Sequence, residues 1–282
     1  MRLERDGDGG DLFYEVHGEG EPLVLVHGSW ADRTDWAPLL DAGLPESFRV
    51  VAYDRRGHGG SGAAPEPGSR RQDEDDLATL LEEAVGEPAH VVGNSFGGSV
   101  TLGLAARRPE LFRSVGVHEP PLLGVVADDP AAAGLLRPTV TGIASVVALI
   151  REGERERAAR VFVNDVALGP GAWEEMPEED RRAVAALADT FADEQADPDW
   201  ATLDLDALGS GGLGSGALDR GALPVLLTHG TDSPPWFVTV LDRLTEALPD
   251  VRRVDIEGAG HVPHTTHPAE YAAALTTFAG RR

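Results

Sequence analysis

The chain contains no cysteine and no lysine. Without cysteine there is no disulfide, no thiolate nucleophile and no sulfur-ligated metal. Without lysine there is no Schiff-base chemistry and no P-loop amine. Positive charge is scarce as well: 24 arginines stand against 48 acidic residues, for a formal net charge of −24. So acidic a surface repels nucleic acid and anionic lipid, and it reads as the coat of a well-solvated protein. No run approaches the roughly 20 apolar residues that a bilayer span requires. The charged start Met1-Arg2-Leu3-Glu4-Arg5 is unlike a signal peptide. The expectation is therefore a cytoplasmic protein with neither nucleic acid nor membrane as partner. These absences narrow the possible nucleophiles toward serine.

Short apolar runs punctuate the chain. Residues 2–5 and 12–16 read as strands split by a Gly7-Asp8-Gly9-Gly10 hairpin turn. Pro22-Leu23-Val24-Leu25-Val26 leaves no polar face, as in a parallel strand covered on both sides. Similar runs follow at 48–53, 89–92, 114–117, 224–228 and 251–256. Helical patterns at 34–40, 70–85, 99–107, 238–248 and 269–278 lie between or after them. Strand–helix alternation of this kind gives a mostly parallel sheet with helices on both faces. The alternation stops between Leu122 and Leu223, where helix patterns at 140–151, 154–164 and 180–192 have no strand among them. A glycine-rich linker, Gly209-Ser210-Gly211-Gly212-Leu213-Gly214-Ser215-Gly216, ends that stretch. The expected division is an α/β core of residues 1–121 and 224–282, with 122–223 a helical cap and linker over the carboxyl ends of the strands.

The most informative segment is Gly93-Asn94-Ser95-Phe96-Gly97. It joins the run Ala89-His90-Val91-Val92 to a helix pattern, and a strand–turn–helix setting gives Gly-x-Ser-x-Gly its chemical meaning. Small neighbours allow the tight bend that lifts the Ser95 hydroxyl above the sheet edge. The following helix N-terminus then faces any anion formed there.

Its expected partners also follow strands. Gly28 or Ser29, in His27-Gly28-Ser29-Trp30, can offer a backbone N–H that pairs with that of Phe96 around an oxyanion. His261, after Gly258-Ala259-Gly260, carries an imidazole, the side chain suited to take and return the serine proton. Two carboxylates are available to orient it, Glu119 in Val117-His118-Glu119-Pro120 and Asp232 in Gly230-Thr231-Asp232-Ser233; spacing leaves both open. His264 and His267 sit at a spacing that suits metal ligation on a helix. Pro263 and Pro268 argue against a helix there, so no metal is expected. Asp54-Arg55-Arg56-Gly57-His58-Gly59 reads as a structural turn in which Asp54 ties down loop backbone.

With these motifs the whole chain resembles the α/β-hydrolase family. The signposts are His27-Gly28, the Asp54–Gly59 loop, Gly93-Asn94-Ser95-Phe96-Gly97-Gly98 and Gly260-His261. The resemblance implies a mostly parallel eight-stranded sheet flanked by helices, with a helical cap insertion. A finer resemblance is to the fungal zearalenone lactone hydrolases, whose acid is a glutamate after the sixth strand in a Cys-His-Glu-Leu-Pro setting similar to His118-Glu119-Pro120. Asn164-Asp165-Val166 with Ala172-Trp173, and His261-Val262-Pro263 with Thr266-His267-Pro268, are similar too. This likeness favours Glu119 over Asp232, and it places Phe191 where those enzymes carry a substrate-contacting tryptophan.

The implied activity is cofactor-free hydrolysis of an ester or lactone in a fairly hydrophobic small molecule, with Ser95 as nucleophile. The expected substrate-binding residues are Trp30, Leu123, Phe162, Trp173, Phe191 and Val262, with Trp200 also in the apolar cap; Trp30 and Trp173 read equally well as core. Rival readings with the same residues are carbon–carbon bond hydrolysis, acyl transfer or cyclisation, and a receptor-like binding protein. Nothing in the pattern sets an oligomeric state.

Overall fold

Leu23 to Val26 have no side for water, and the fold gives them none. The computed structural model describes residues 1–4, 10–62, 68–209 and 222–280. Its strands are β1 (Arg2–Leu3), β2 (Leu12–His17), β3 (Glu21–Val26), β4 (Phe48–Tyr53), β5 (Ala89–Asn94), β6 (Phe112–His118), β7 (Val225–Gly230) and β8 (Val251–Ile256). They form one eight-stranded sheet in the order β1-β2-β4-β3-β5-β6-β7-β8. β2 runs antiparallel to β1 and β4, and every other pairing is parallel.

Alternation along β3 divides two cores, because successive strand residues face opposite sides. Val24 and Val26 join Leu77, Val100, Leu102 and Leu241 on one face. Leu23 and Leu25 join Trp36, Leu39, Tyr271 and Leu275 on the other. From β3 the chain moves to β4 on one side and then to β5 on the other. Such a reversal opens a crevice at the strands' carboxyl ends, and here it lies between β3 and β5.

The helices are α1 (Ala37–Asp41), α2 (Arg70–Thr79), α3 (Phe96–Arg107), α4 (Pro130–Arg151), α5 (Arg155–Val161), α6 (Ala172–Glu175), α7 (Glu178–Ala186), α8 (Ala188–Ala196), α9 (Leu205–Gly209), α10 (Trp236–Ala247), α11 (Pro263–Thr266) and α12 (Pro268–Ala279). Between β6 and β7 the described residues contain helices and no strand. These inserted helices have their own apolar cluster, with Val146, Ile150, Ala158, Val163, Trp173 and Phe191 around Trp30 of the sheet end.

Several expectations are corrected. The helix expected from residue 140 begins at Pro130, because Asp129 caps it by accepting from the Ala131 N–H at 2.8 Å and proline suits the first helical position. The resulting 22-residue helix, which holds an 18-residue window of mean hydropathy 1.6, is long and apolar enough to cross a membrane by length and composition. It overturns the expectation that no segment is; it packs here against α5 and α8. The helix expected over 180–192 is two, α7 and α8, separated at Leu187. Pro263 and Pro268 do not prevent helix; each opens one, at a position where its missing N–H is no loss. Arg5, the turn residues Gly7, Asp8 and Gly9, and linker residues 210–216 lie outside the described residues.

Candidate functional site

Among the described residues, three non-glycine residues have positive φ: Trp30 at 57°, Ser95 at 53° and Glu119 at 46°. They follow the adjacent strands β3, β5 and β6. Such conformations are costly for side chains with a Cβ and persist only where surrounding structure enforces them.

At Ser95 the enforcement is visible. Its N–H donates to His118 O at 2.9 Å, and α3 starts at the next residue. A Cβ on Gly97 would stand 2.2 Å from Val26 O, so only glycine lets α3 start this close to the end of β3. A Cβ on Gly28 would lie 3.0 Å from that of Ser95, which fixes how near the β3 loop comes to the serine. Ser95 Oγ makes no hydrogen bond among the described residues, and Ser95 lines a pocket.

The β3 loop is oriented by His27 and Arg55, both buried. The Arg55 N–H donates to His27 Nε2 at 2.9 Å, so the His27 proton is on Nδ1, which donates to Gly28 O at 2.8 Å. Burial, reinforced by Arg55, lowers the His27 pKa well below its ordinary value and keeps this neutral form. Arg55 Nη2 also donates to Gly28 O, at 3.1 Å. A trans peptide points its C=O and N–H in opposite directions. With Gly28 O drawn toward His27 and Arg55, the Ser29 N–H points the other way. Neither it nor the Phe96 N–H donates to any group among the described residues, and both residues line the pocket. Gly28 itself is not in the lining.

His261 lines the same pocket, and its Nδ1 lies 2.7 Å from Glu119 Oε2. Glu119 Oε1 accepts the Gly230 N–H at 2.9 Å. Burial pushes the Glu119 pKa up, but the His261 hydrogen bond and the neighbouring His118 outweigh it and bring it to about 2. As an ionised acceptor, Glu119 puts the His261 proton on Nδ1 and leaves the Nε2 lone pair free. Phe237 stacks on the imidazole, with ring centroids 5.0 Å apart and planes 20° apart. Asp232 is exposed, its side chain makes no hydrogen bond among the described residues, and it is anchored through its N–H to Ala259 O.

His118, Glu119 and His261 are the one group of three metal-capable side chains within 4.8 Å among the described residues. Burial holds the His118 pKa down to about 4, and its Nδ1 is engaged with Thr228 Oγ1 at 3.0 Å. His264 is instead buried against Trp36, with centroids 4.4 Å apart.

The pocket has about 470 Å³ of empty space, including its open mouth, and its walls are mostly apolar. Leu123, Phe162, Phe191 and Trp200 line it. Three other residues expected at the substrate lie outside this lining. Trp30 stands behind the wall, its ring 5.1 Å from Phe162 and 5.2 Å from Phe191. Trp173 is buried in the core of the inserted helices, its N–H held by Asn164 Oδ1. Val262 precedes α11, where its carbonyl accepts from Thr265 and Thr266. Sequence reasoning missed Trp236 and Phe237 at the start of α10, and Thr139 and Ile143 on α4. The apolar spacing Trp236, Phe237, Val240, Leu241, Leu244 was the available signal for the first pair.

The sequence matches the profile of the Alpha/beta hydrolase family over residues 23–274. The chain belongs to the alpha/beta hydrolase family. A family relative from Azorhizobium caulinodans, provisionally assigned as the carbamate hydrolase RutD, is 37% identical over 111 residues, which are 39% of this chain and 42% of that protein. The chain thus spans less than half the length of that curated relative. An alpha/beta hydrolase from Sphaerobacter thermophilus superposes over 99% of both chains with a TM-score of 0.75 and 28% identity. Est816, described as degrading N-acyl homoserine lactones, shares the fold with a TM-score of 0.70 at 21% identity, over 99% of this chain and 100% of that one.

Proposed function

We propose that this alpha/beta hydrolase is a cytoplasmic serine hydrolase that cleaves an ester or lactone bond in a fairly hydrophobic small molecule. One observation carries the reading: a serine on a strained bend, two undonated backbone N–H groups and a carboxylate-held imidazole surround one apolar pocket. The inserted helices act as its cap.

Ser95 Oγ attacks the carbonyl carbon while its proton passes to His261 Nε2. The oxyanion is stabilised by the N–H groups of Ser29 and Phe96, and Glu119 balances the imidazolium. As the tetrahedral intermediate collapses, the carbon–oxygen bond to the leaving alcohol breaks and His261 protonates that oxygen. Water repeats the sequence on the acyl-enzyme and releases the acid. In a lactone, alcohol and acid stay in one molecule.

The test is a panel of aryl esters, lactones, carbamates and diketones offered to the wild type and to Ser95→Ala, with a fluorophosphonate probe read by mass spectrometry. Ester or lactone turnover, and labelling at Ser95, are expected from the wild type alone. Turnover of diketones only, or no labelling of Ser95, rejects the proposal.

A further inference from the structure

Glu194 lies on α8, within the inserted helices, yet its carboxylate reaches the β3 loop. Ser29 Oγ donates to Glu194 Oε2 at 2.5 Å, and Arg55 Nη2 donates to Glu194 Oε1 at 2.5 Å. The same Arg55 nitrogen donates to Gly28 O at 3.1 Å. These bonds close a ring: Gly28 carbonyl, Arg55 guanidinium, Glu194 carboxylate, Ser29 hydroxyl. The ring spans a single peptide unit, the one whose N–H lines the pocket.

Its two charged members are withdrawn from water, with Arg55 at 1% and Glu194 at 6% exposure, while Ser29 is partly buried. Asp73 completes the salt-bridged cluster by accepting from Arg55 Nη1 at 2.9 Å. An ion pair between Arg55 and Asp73 would by itself balance the guanidinium charge within the core. The second carboxylate adds a link from the inserted helices to the loop. Phe191 and Gln195, flanking Glu194 on α8, line the pocket. One helix therefore both walls the substrate space and holds the loop beside it. The Arg55 guanidinium also lies over the Phe96 ring, 4.9 Å from its centroid, next to the other free N–H.

We propose that Glu194 is a positioning residue for the oxyanion site: through Arg55 and Ser29 it fixes the direction of the Ser29 N–H, so that seating of the inserted helices completes the site. The inference rests on the hydrolase reading above. It adds a residue that acts on the transition state without touching substrate, because a hydrogen bond aimed at developing charge is worth most when its direction is preset. Loss of Glu194 leaves the Ser29 hydroxyl without its acceptor, so that only the bonds at Gly28 O still orient the peptide.

The experiment compares wild type, Glu194→Ala, Glu194→Gln and Ser29→Ala on one aryl ester. It also measures inhibition by a trifluoromethyl ketone and by the methyl ketone of the same chain. The first inhibitor forms a tetrahedral oxyanion on Ser95; the second only fills the pocket. In Glu194→Ala and Ser29→Ala, kcat is expected to fall about tenfold or more with KM held within about twofold. Trifluoromethyl ketone affinity should fall in parallel and methyl ketone affinity should hold. Glu194→Gln should recover part of the loss, since its amide oxygen still accepts one bond. Ser29→Ala removes no ion pair, so it keeps the test open should Glu194→Ala fail to fold.

Equal weakening of both ketones, a rise in KM alone, or variants indistinguishable from wild type would overturn the proposal. Fluorophosphonate labelling of the wild type separates the two readings. Labelled wild type with silent variants removes only the role of Glu194; unlabelled wild type removes the hydrolase reading itself.

Discussion

Glu119 Oε2 stands 2.7 Å from His261 Nδ1, whereas the Asp232 side chain is exposed and bonds to no side chain or backbone group among the described residues. The two carboxylates are thus separable by experiment. Glu119→Gln should lower kcat by about 10⁴-fold, because an amide no longer dictates the imidazole tautomer. Asp232→Asn should leave kcat within about twofold, as for an exposed polar change. Steady-state kinetics on a single aryl ester checks both, and a large loss in Asp232→Asn with a silent Glu119→Gln would reverse the assignment.

The β3 loop and Ser95 meet at the limit of side-chain contact. A Cβ on Gly28 would come within 3.0 Å of Ser95 Cβ and 3.3 Å of Asn94 O. Gly28→Ala should therefore shift Ser95 or the loop and reduce kcat about 100-fold, the scale expected for a misplacement near 1 Å. Thermal denaturation run alongside should show a much smaller effect. A variant as active as wild type would mean that the two elements move apart freely.

Pocket shape should yield to the aromatic wall. Phe162 lies between the pocket and Trp30. Phe162→Ala should open the space, raising kcat/KM for bulkier acyl groups and lowering it for small ones, by about tenfold in the ratio. A series of esters of increasing acyl length measures this ratio. An unchanged length preference would place the acyl group elsewhere.

His264 should couple folding to pH. Burial drives its pKa down from 6.5 to about 3. The unfolded chain takes up a proton here that the folded protein refuses, so the contribution to stability is present above pH 6.5 and declines as pH falls toward 3. Asp73, raised to about 7 chiefly by burial, acts oppositely between roughly pH 4 and 7. A single variant isolates the histidine. His264→Gln should reduce the loss of unfolding free energy between pH 7 and pH 5 by about 2 kcal/mol, read from urea titrations at both pH values. An identical pH dependence in variant and wild type contradicts this.

How far the residues disclosed this arrangement depended on the kind of constraint. Interior strands were legible because parallel strands are apolar on both faces, and Phe48–Tyr53 matches residue for residue; Val251–Ile256 matches too, although as an edge strand it carries Arg252, Arg253 and Asp255. The Ser95 turn was legible because its glycines answer a local steric demand. The choice between Glu119 and Asp232 was not, since both follow strands and only the register of β6 beside β7 brings one to His261. That Trp30, Trp173 and Val262 lie outside the pocket lining was not legible, because the rotation of a helix or loop about its axis decides which side chain faces the pocket. Trp236 and Phe237 were missed because Pro234-Pro235 read as loop while the helix pattern was taken from residue 238. Glu194 gave no sign at all: its partner Arg55 lies 139 positions away.

Trp30, Ser95 and Glu119 hold backbone angles that relaxed chains avoid, and they occupy neighbouring strand ends. Glycine at any of them would ease the main chain while deleting the indole, hydroxyl or carboxylate it carries. Selection for heat resistance by relieving tension would therefore disarm the molecule first, and sturdier descendants must gain their firmness at sites remote from these bends.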